Sequence, residues 1–257
     1  MTASPTIFFL WVFALSVPFY VLGAFGGRLQ GLQLLPDSAL MAFVPMFAAS
    51  LLVYRSRGVA GMVIAVRNIS GAIRSTKLRW YIIALLFLPV ICVLEFGIMR
   101  LTGSEVPIPQ IAFGEVLFFF AAFFIGAIGE EAGWQGYAYP ALRSGRSVIK
   151  SAVILGLVWA LWHVIPFIQL GRSGEWIIWH SLSAVAMRII IVWLFERSSS
   201  GILVAVLFHT MINVSWALFP IAGSYYDPFI TFALLAVSAG LIVWLWRPSA
   251  EHRNSFA

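Results

Sequence analysis

Residues 115–138 read EVLFFFAAFFIGAIGEEAGWQGYA. From Val116 to Gly129 the stretch carries no charge, and then two glutamates stand side by side, Glu130 and Glu131. A run of this length and character fits a helix crossing a bilayer, which needs about 20 apolar residues at a rise of 1.5 Å each. An ionisable group at bilayer depth costs about 2.5 to 3.5 kcal/mol on insertion scales, so each glutamate requires a partner or a task. The stretch therefore predicts an all-α membrane protein and marks where inside it polarity is used.

Seven further segments approach the same length, at 6–25, 39–54, 80–100, 150–169, 176–195, 201–219 and 228–246. Composition agrees, since 61% of the 257 residues are hydrophobic and only 10% charged, too few to clothe a water-soluble surface. The expected fold is a polytopic membrane helical bundle of about eight transmembrane helices forming one integral membrane domain over residues 1–257, without linker, repeat or soluble domain. Segment 39–54 is short and contains Pro45, which a tilted or kinked helix accommodates. The first segment is preceded by no Lys or Arg and is too long and apolar for a secretory signal, so it reads as a retained anchor. After the second, Val59, Met62, Val63 and Val66 recur at helical spacing ahead of Arg67, Arg74 and Lys77, which predicts an interfacial helix. The single cysteine, Cys92, excludes an internal disulfide framework and a Cys-rich metal site.

The formal charge of +6 sits in short gaps between apolar runs, not on one face, which argues for topology and against nucleic acid. Alternate gaps place Arg55, Arg57, Arg67, Arg74, Lys77, Arg79, Arg143, Arg146, Lys150, Arg197, Arg247 and Arg253 on one side. Only Arg28, Arg100 and Arg172 fall on the other, with Arg188 left inside a span. The positive-inside rule then puts both termini in the cytoplasm of a multi-pass protein of the cell membrane.

The spans carry Glu95, Glu130, Glu131, His163, His180, Arg188 and His209, with Asn213 as polar company. By helical rise Glu130 and His209 each lie about 12 Å from the cytoplasmic end of their spans, and His163 and Asn213 about 20 Å. His209 and Asn213 are four residues apart and share a helix face, as do Trp159 and His163, which sets an indole beside the imidazole as a wall. Glu130 and Glu131 point about 100° apart, so one faces a cavity squarely and the other supports it. Arg188, about 11 Å deep, lies near the level of Glu131 and is the candidate cation for it. A single intramembrane histidine is more often a packing hydrogen-bonder than a catalyst. Here the convergence of four groups from three helices outweighs that reading. His180 reads as structural, Glu95, one turn from Arg100 near an outer end, as snorkelling or pairing locally, and the stripe Gly126, Gly129, Gly133, Gly136 as close helix packing.

Taken in order, these motifs resemble the CPBP family of intramembrane proteases, the group of type II CaaX prenyl endopeptidases and bacteriocin-processing proteins. The family's Glu-Glu pair matches Glu130 and Glu131, its aromatic and His match Trp159 and His163 with Pro166 following, and its His and Asn match His209 and Asn213. The likeness spans about residues 80–220. Two positions depart from the pattern: Gln135 stands where the family has Arg, and Trp159 where Phe is usual.

The resemblance implies peptide-bond hydrolysis in the membrane, with Glu130 as general base on a water oriented by His163, and His209 and Asn213 stabilising the oxyanion. The substrate it implies is a hydrophobic or lipid-modified peptide near the cytoplasmic side of the lipid bilayer. Glu130, His163 and His209 also make a candidate ligand set for a divalent metal such as zinc, although the HExxH spacing is absent. The rival readings are a catalytically weak relative acting as a binding or immunity protein, which Gln135 favours, and a small transporter with a buried carboxylate relay. Transport predicts inverted repeats and broken helices, and the sequence has neither.

Overall fold

In lipid a backbone must satisfy its own hydrogen bonds, and between short polar gaps this chain does so with helices. The computed structural model describes residues 4–27, 35–199 and 201–246, with backbone only for 68–75, 221 and 222. Over these it is helical, without strands: α1 (Pro5–Phe25), α2 (Val44–Ser75), α3 (Leu78–Leu101), α4 (Phe113–Gly133), α5 (Tyr139–Arg143), α6 (Val148–Gln169), α7 (Gly174–Arg197), α8 (Ile202–Leu218), α9 (Pro220–Gly223) and α10 (Pro228–Leu245). A 3-10 segment, Asp37–Phe43, leads into α2, and a π-helical turn, Trp134–Ala138, joins α4 to α5.

Seven of the expected spans are helices long and apolar enough to cross a membrane. The eighth, α8, has 17 residues, a rise of about 25 Å. It is buried along most of its length, packed against α3, α4 and α7, so protein and not lipid sets its length. Pro45 does not kink α2 but stands second in it, where the missing N–H breaks no helical bond. The break comes at Gly58, whose φ of 60° and ψ of −158° suit glycine. Beyond it Val59, Val63, Ile64 and Val66 are exposed, the apolar face expected of an interfacial helix.

Two ends of the bundle are defined by hydrogen bonds between loops. Thr76 Oγ1 donates to the carbonyl of Ser198 at 2.8 Å, joining the α2–α3 turn to the end of α7. At the opposite end Glu95 accepts from the Asp227 amide at 2.9 Å and from Thr231 Oγ1 at 2.5 Å, tying α3 to the start of α10. Glu95 is thus fully buried and is not a partner of Arg100, whose guanidinium donates to the Val106 carbonyl at 3.2 Å. Two hydrogen bonds accepted from the start of α10 outweigh a one-turn pairing at the helix rim. The basic residues Arg28, Arg247 and Arg253 lie outside the described residues.

Candidate active site

The close approach of α4 to the start of α2 comes from the missing side chains of Gly129 and Gly133. A Cβ on Gly129 would stand 2.7 Å from the Ala42 carbonyl oxygen, and one on Gly133 would overlap Pro45. That approach, with α6, α7 and α8 on the other sides, encloses a cavity of about 250 Å³ with Glu130, Trp159, His163, His209 and Asn213 in its wall. Leu35, Pro36 and residues 39–43 form another part of the wall. The strap through Ser38 is clasped by Ser38 Oγ donating to Gln169 Oε1 at 2.6 Å, while Gln169 Nε2 donates to the Tyr20 carbonyl at 2.8 Å. The apolar pattern begins at residue 39 and does not show the strap; Pro36, Asp37 and Ser38 just before it are the turn-forming signal.

The two carboxylates have separate surroundings. Glu131 is fully buried: Oε1 accepts from His209 Nδ1 at 2.7 Å, and Oε2 accepts from Arg188 Nη1 at 2.7 Å. Arg188 is fully buried too, so the expected cross-helix ion pair is formed between α4 and α7. Glu130, 6% exposed, turns to the cavity. Its Oε2 accepts from Trp159 Nε1 at 2.8 Å, and its Oε1 stands 4.0 Å from His163 Nε2 and 3.8 Å from His209 Nε2.

The tautomers follow from the partners. His163 Nδ1 is 2.8 Å from the Trp159 carbonyl and His209 Nδ1 faces the Glu131 carboxylate, and both are pure acceptors. Each Nδ1 therefore carries a proton, and each Nε2 is turned towards Glu130 Oε1. A water 2.8 Å from both Oε1 and an Nε2 some 4 Å apart makes an angle of about 90° between them, an ordinary geometry for a water accepting and donating there.

Trp159 does more than wall the cavity. Its indole N–H bonds the carboxylate expected to act, and its ring face carries Arg188, whose Cζ is 4.4 Å from the ring centroid. The i, i+4 spacing from His163 sets Trp159 beside the imidazole, but its donor role depends on the helix–helix register, which the spacing does not carry. Gln135, which stands where the family pattern has Arg, does not reach Glu131. It is fully buried, and neither its Nε2 nor its Oε1 has a partner among the described residues. The reason is the π-helical turn that begins at Trp134, which changes the angle per residue just where an i+4 contact would form. His180, read from the sequence as structural, lines the same cavity; its ring stacks on Trp176 at 4.6 Å and its Nδ1 meets Tyr226 Oη at 3.0 Å.

A tetrahedral zinc with bonds of 2.0 to 2.1 Å holds its ligand atoms about 3.3 Å apart. The separations of 3.8 and 4.0 Å between Glu130 Oε1 and the two Nε2 atoms are wider than that, and no three His, Cys, Asp or Glu side chains among the described residues converge as an ion site. The set as it stands does not fit the ion.

A carboxylate and two imidazoles converge on one cavity, braced by a second carboxylate and its arginine inside a helical membrane bundle, an arrangement of groups able to take and give protons. Residues 112–215, which contain every member of the site, match the family described as type II CAAX prenyl endopeptidase Rce1-like. The likeness to the CPBP family is thus one of this core. It is also 33% identical over 106 residues to a protein of Methanococcus maripaludis named CAAX prenyl protease 2, an alignment covering 38% of this chain and 39% of that one.

Proposed function

We propose that this protein is an intramembrane endopeptidase that hydrolyses a peptide bond in a hydrophobic or lipid-modified substrate, with Glu130 as the general base. The observation that carries the reading is the convergence of Glu130 Oε1 with His163 Nε2 and His209 Nε2, within 4.0 Å, at the wall of the cavity. The Rce1-like match and the relative named as a CAAX prenyl protease support it and point to a prenylated peptide as the first substrate to try.

A water between Glu130 Oε1 and His163 Nε2 gives one proton to the carboxylate as its oxygen attacks the scissile carbonyl carbon. The oxyanion that forms takes a hydrogen bond from the Asn213 amide, and from His209 Nε2–H when that ring is doubly protonated. Collapse of the intermediate restores the carbonyl and breaks the C–N bond, and Glu130 passes its proton to the departing amine. Glu131 holds His209 from behind, while Arg188 balances the Glu131 charge without reaching into the cavity. Both termini, and the end of the bundle nearer this site, face the cytoplasm in this proposal.

The test is purified protein in lipid nanodiscs given a fluorogenic prenylated peptide ending in a CAAX sequence. Glu130→Gln, His163→Ala and His209→Ala each abolish cleavage while the protein stays inserted, and Asn213→Ala lowers kcat by about 10²- to 10³-fold, as loss of one oxyanion donor does. Full activity in Glu130→Gln would remove the proposed base.

A further inference from the structure

The two oxygens of a carboxylate are equivalent in water, and one fixed donor is enough to make them different. At Glu130 that donor is the Trp159 indole N–H, 2.8 Å from Oε2 inside the protein. Oε1 makes no direct hydrogen bond among the described residues and is the oxygen nearer the two Nε2 atoms. We propose that Trp159 is a positioning residue that selects Oε1 as the basic oxygen by occupying Oε2, with Arg188 fixing the indole; this rests on Glu130 being the base.

Trp159 touches Glu130, both imidazoles and Arg188. Its carbonyl accepts a hydrogen bond from His163 Nδ1, and its ring lies nearly perpendicular to both imidazoles, with centroids 5.1 Å from His163 and 5.3 Å from His209. Arg188 stands over its face while bonding Glu131, so the ring is held by a group that is itself held. The chemistry of the donor matters as much as its place. A Lys or Arg against Oε2 would neutralise the carboxylate that has to take a proton, whereas an uncharged indole N–H orients it and leaves its charge intact. Arg188 is spent on Glu131, and its charge reaches Glu130 only from behind the indole.

The test compares the full-length protein with Trp159→Phe, which keeps a ring for Arg188 but loses the donor. A second variant carries β-(3-benzothienyl)alanine at position 159, which keeps the size of indole and replaces N–H by sulfur. On the prenylated CAAX peptide both lower kcat by about 10- to 150-fold, the range for a lost hydrogen bond to a charged group. KM stays within about twofold, because the change falls on the reacting step. The acid limb of the pH–kcat profile moves to higher pH in both, with His163, His209, Glu131 and Arg188, the other titratable groups around Glu130, left unaltered. Independently of activity, the Trp159 indole N–H resonance in ¹⁵N-Trp-labelled protein, assigned by its loss in Trp159→Phe, moves with pH through one transition that Glu130→Gln abolishes. An isostere with wild-type kcat and pH profile overturns the proposal, as does a resonance indifferent to Glu130. If Glu130→Gln cleaves at full rate, the base assignment fails instead; if the peptide is not cleaved at all, the resonance alone decides.

Discussion

Glu131 and Arg188 are both fully buried and 2.7 Å apart, so each is the condition for the other's charge. Removing one partner of such a pair typically costs about 3 to 5 kcal/mol, because the remaining charge is left in low dielectric. Arg188→Met and Glu131→Gln each lower stability by about that much, and the double substitution costs clearly less than the sum, measured by unfolding in mixed detergent. Strict additivity would mean that the pair is not coupled. Gln135 behaves in the opposite way: its amide is buried without a partner among the described residues, a state that costs about 1 to 3 kcal/mol. Gln135→Met, similar in shape and without donors or acceptors, therefore raises the melting temperature, and a lower one would reveal an amide partner after all. The ion pair was legible from sequence, because counting helical rise from the span ends puts both groups at one depth. The isolation of Gln135 was not, since nothing in the residues around it announces a π-helical turn.

At the scale of elements, α4 approaches the start of α2 along a face whose glycines are not equivalent. Gly129 and Gly133 lie against backbone atoms of residues 42–45, which cannot move aside as a side chain can, whereas a Cβ on Gly126 would meet only the Ala42 Cβ at 3.9 Å, ordinary contact. Gly129→Ala and Gly133→Ala lower stability by about 1 to 3 kcal/mol, the usual cost of overpacking, and displace Glu130, so cleavage falls as well. Gly126→Ala is neutral or slightly stabilising, since it relieves a helix of glycine's backbone entropy. Equal effects at the three positions would show that helix propensity and not contact governs the stripe. Sequence alone gave the stripe its role but could not rank its members, because rank depends on which neighbour sits opposite. The same limit explains the other differences: apolar length located α8 but not its buried position, and Pro45 marked irregularity in the second segment while the break itself fell on Gly58.

Across the whole molecule, the loop contacts divide the charges before any membrane is invoked. The Thr76–Ser198 bond places the α2–α3 turn and the end of α7 together, an end that carries Lys77, Arg79 and Arg197. Helices of spanning length alternate the remaining gaps, so the α5–α6 turn, with Arg143, Arg146 and Lys150, belongs to that end too. The opposite end, where Glu95 holds the start of α10, has Arg100 and Arg172. Arg172 is engaged with an aromatic face, its Cζ 4.8 Å from the Trp176 ring centroid. An asymmetry of this size in short loops sets orientation by retention of Lys and Arg in the cytoplasm. The expected outcome can be read with single cysteines in a Cys92→Ala background, because Ser144 in the basic turn and Ser104 after α3 are both exposed. In intact cells an impermeant maleimide labels a cysteine at Ser104 and spares one at Ser144, and permeabilisation makes both reactive. The site's position follows from the same result. His209 lies eight residues into α8, about 11 Å from the helix end nearest Arg197, so labelling in the expected sense puts Glu130 and both imidazoles in the cytoplasmic half of the bilayer. The reverse labelling would place the same chemistry beneath the outer leaflet and take a cytoplasmic substrate out of its reach.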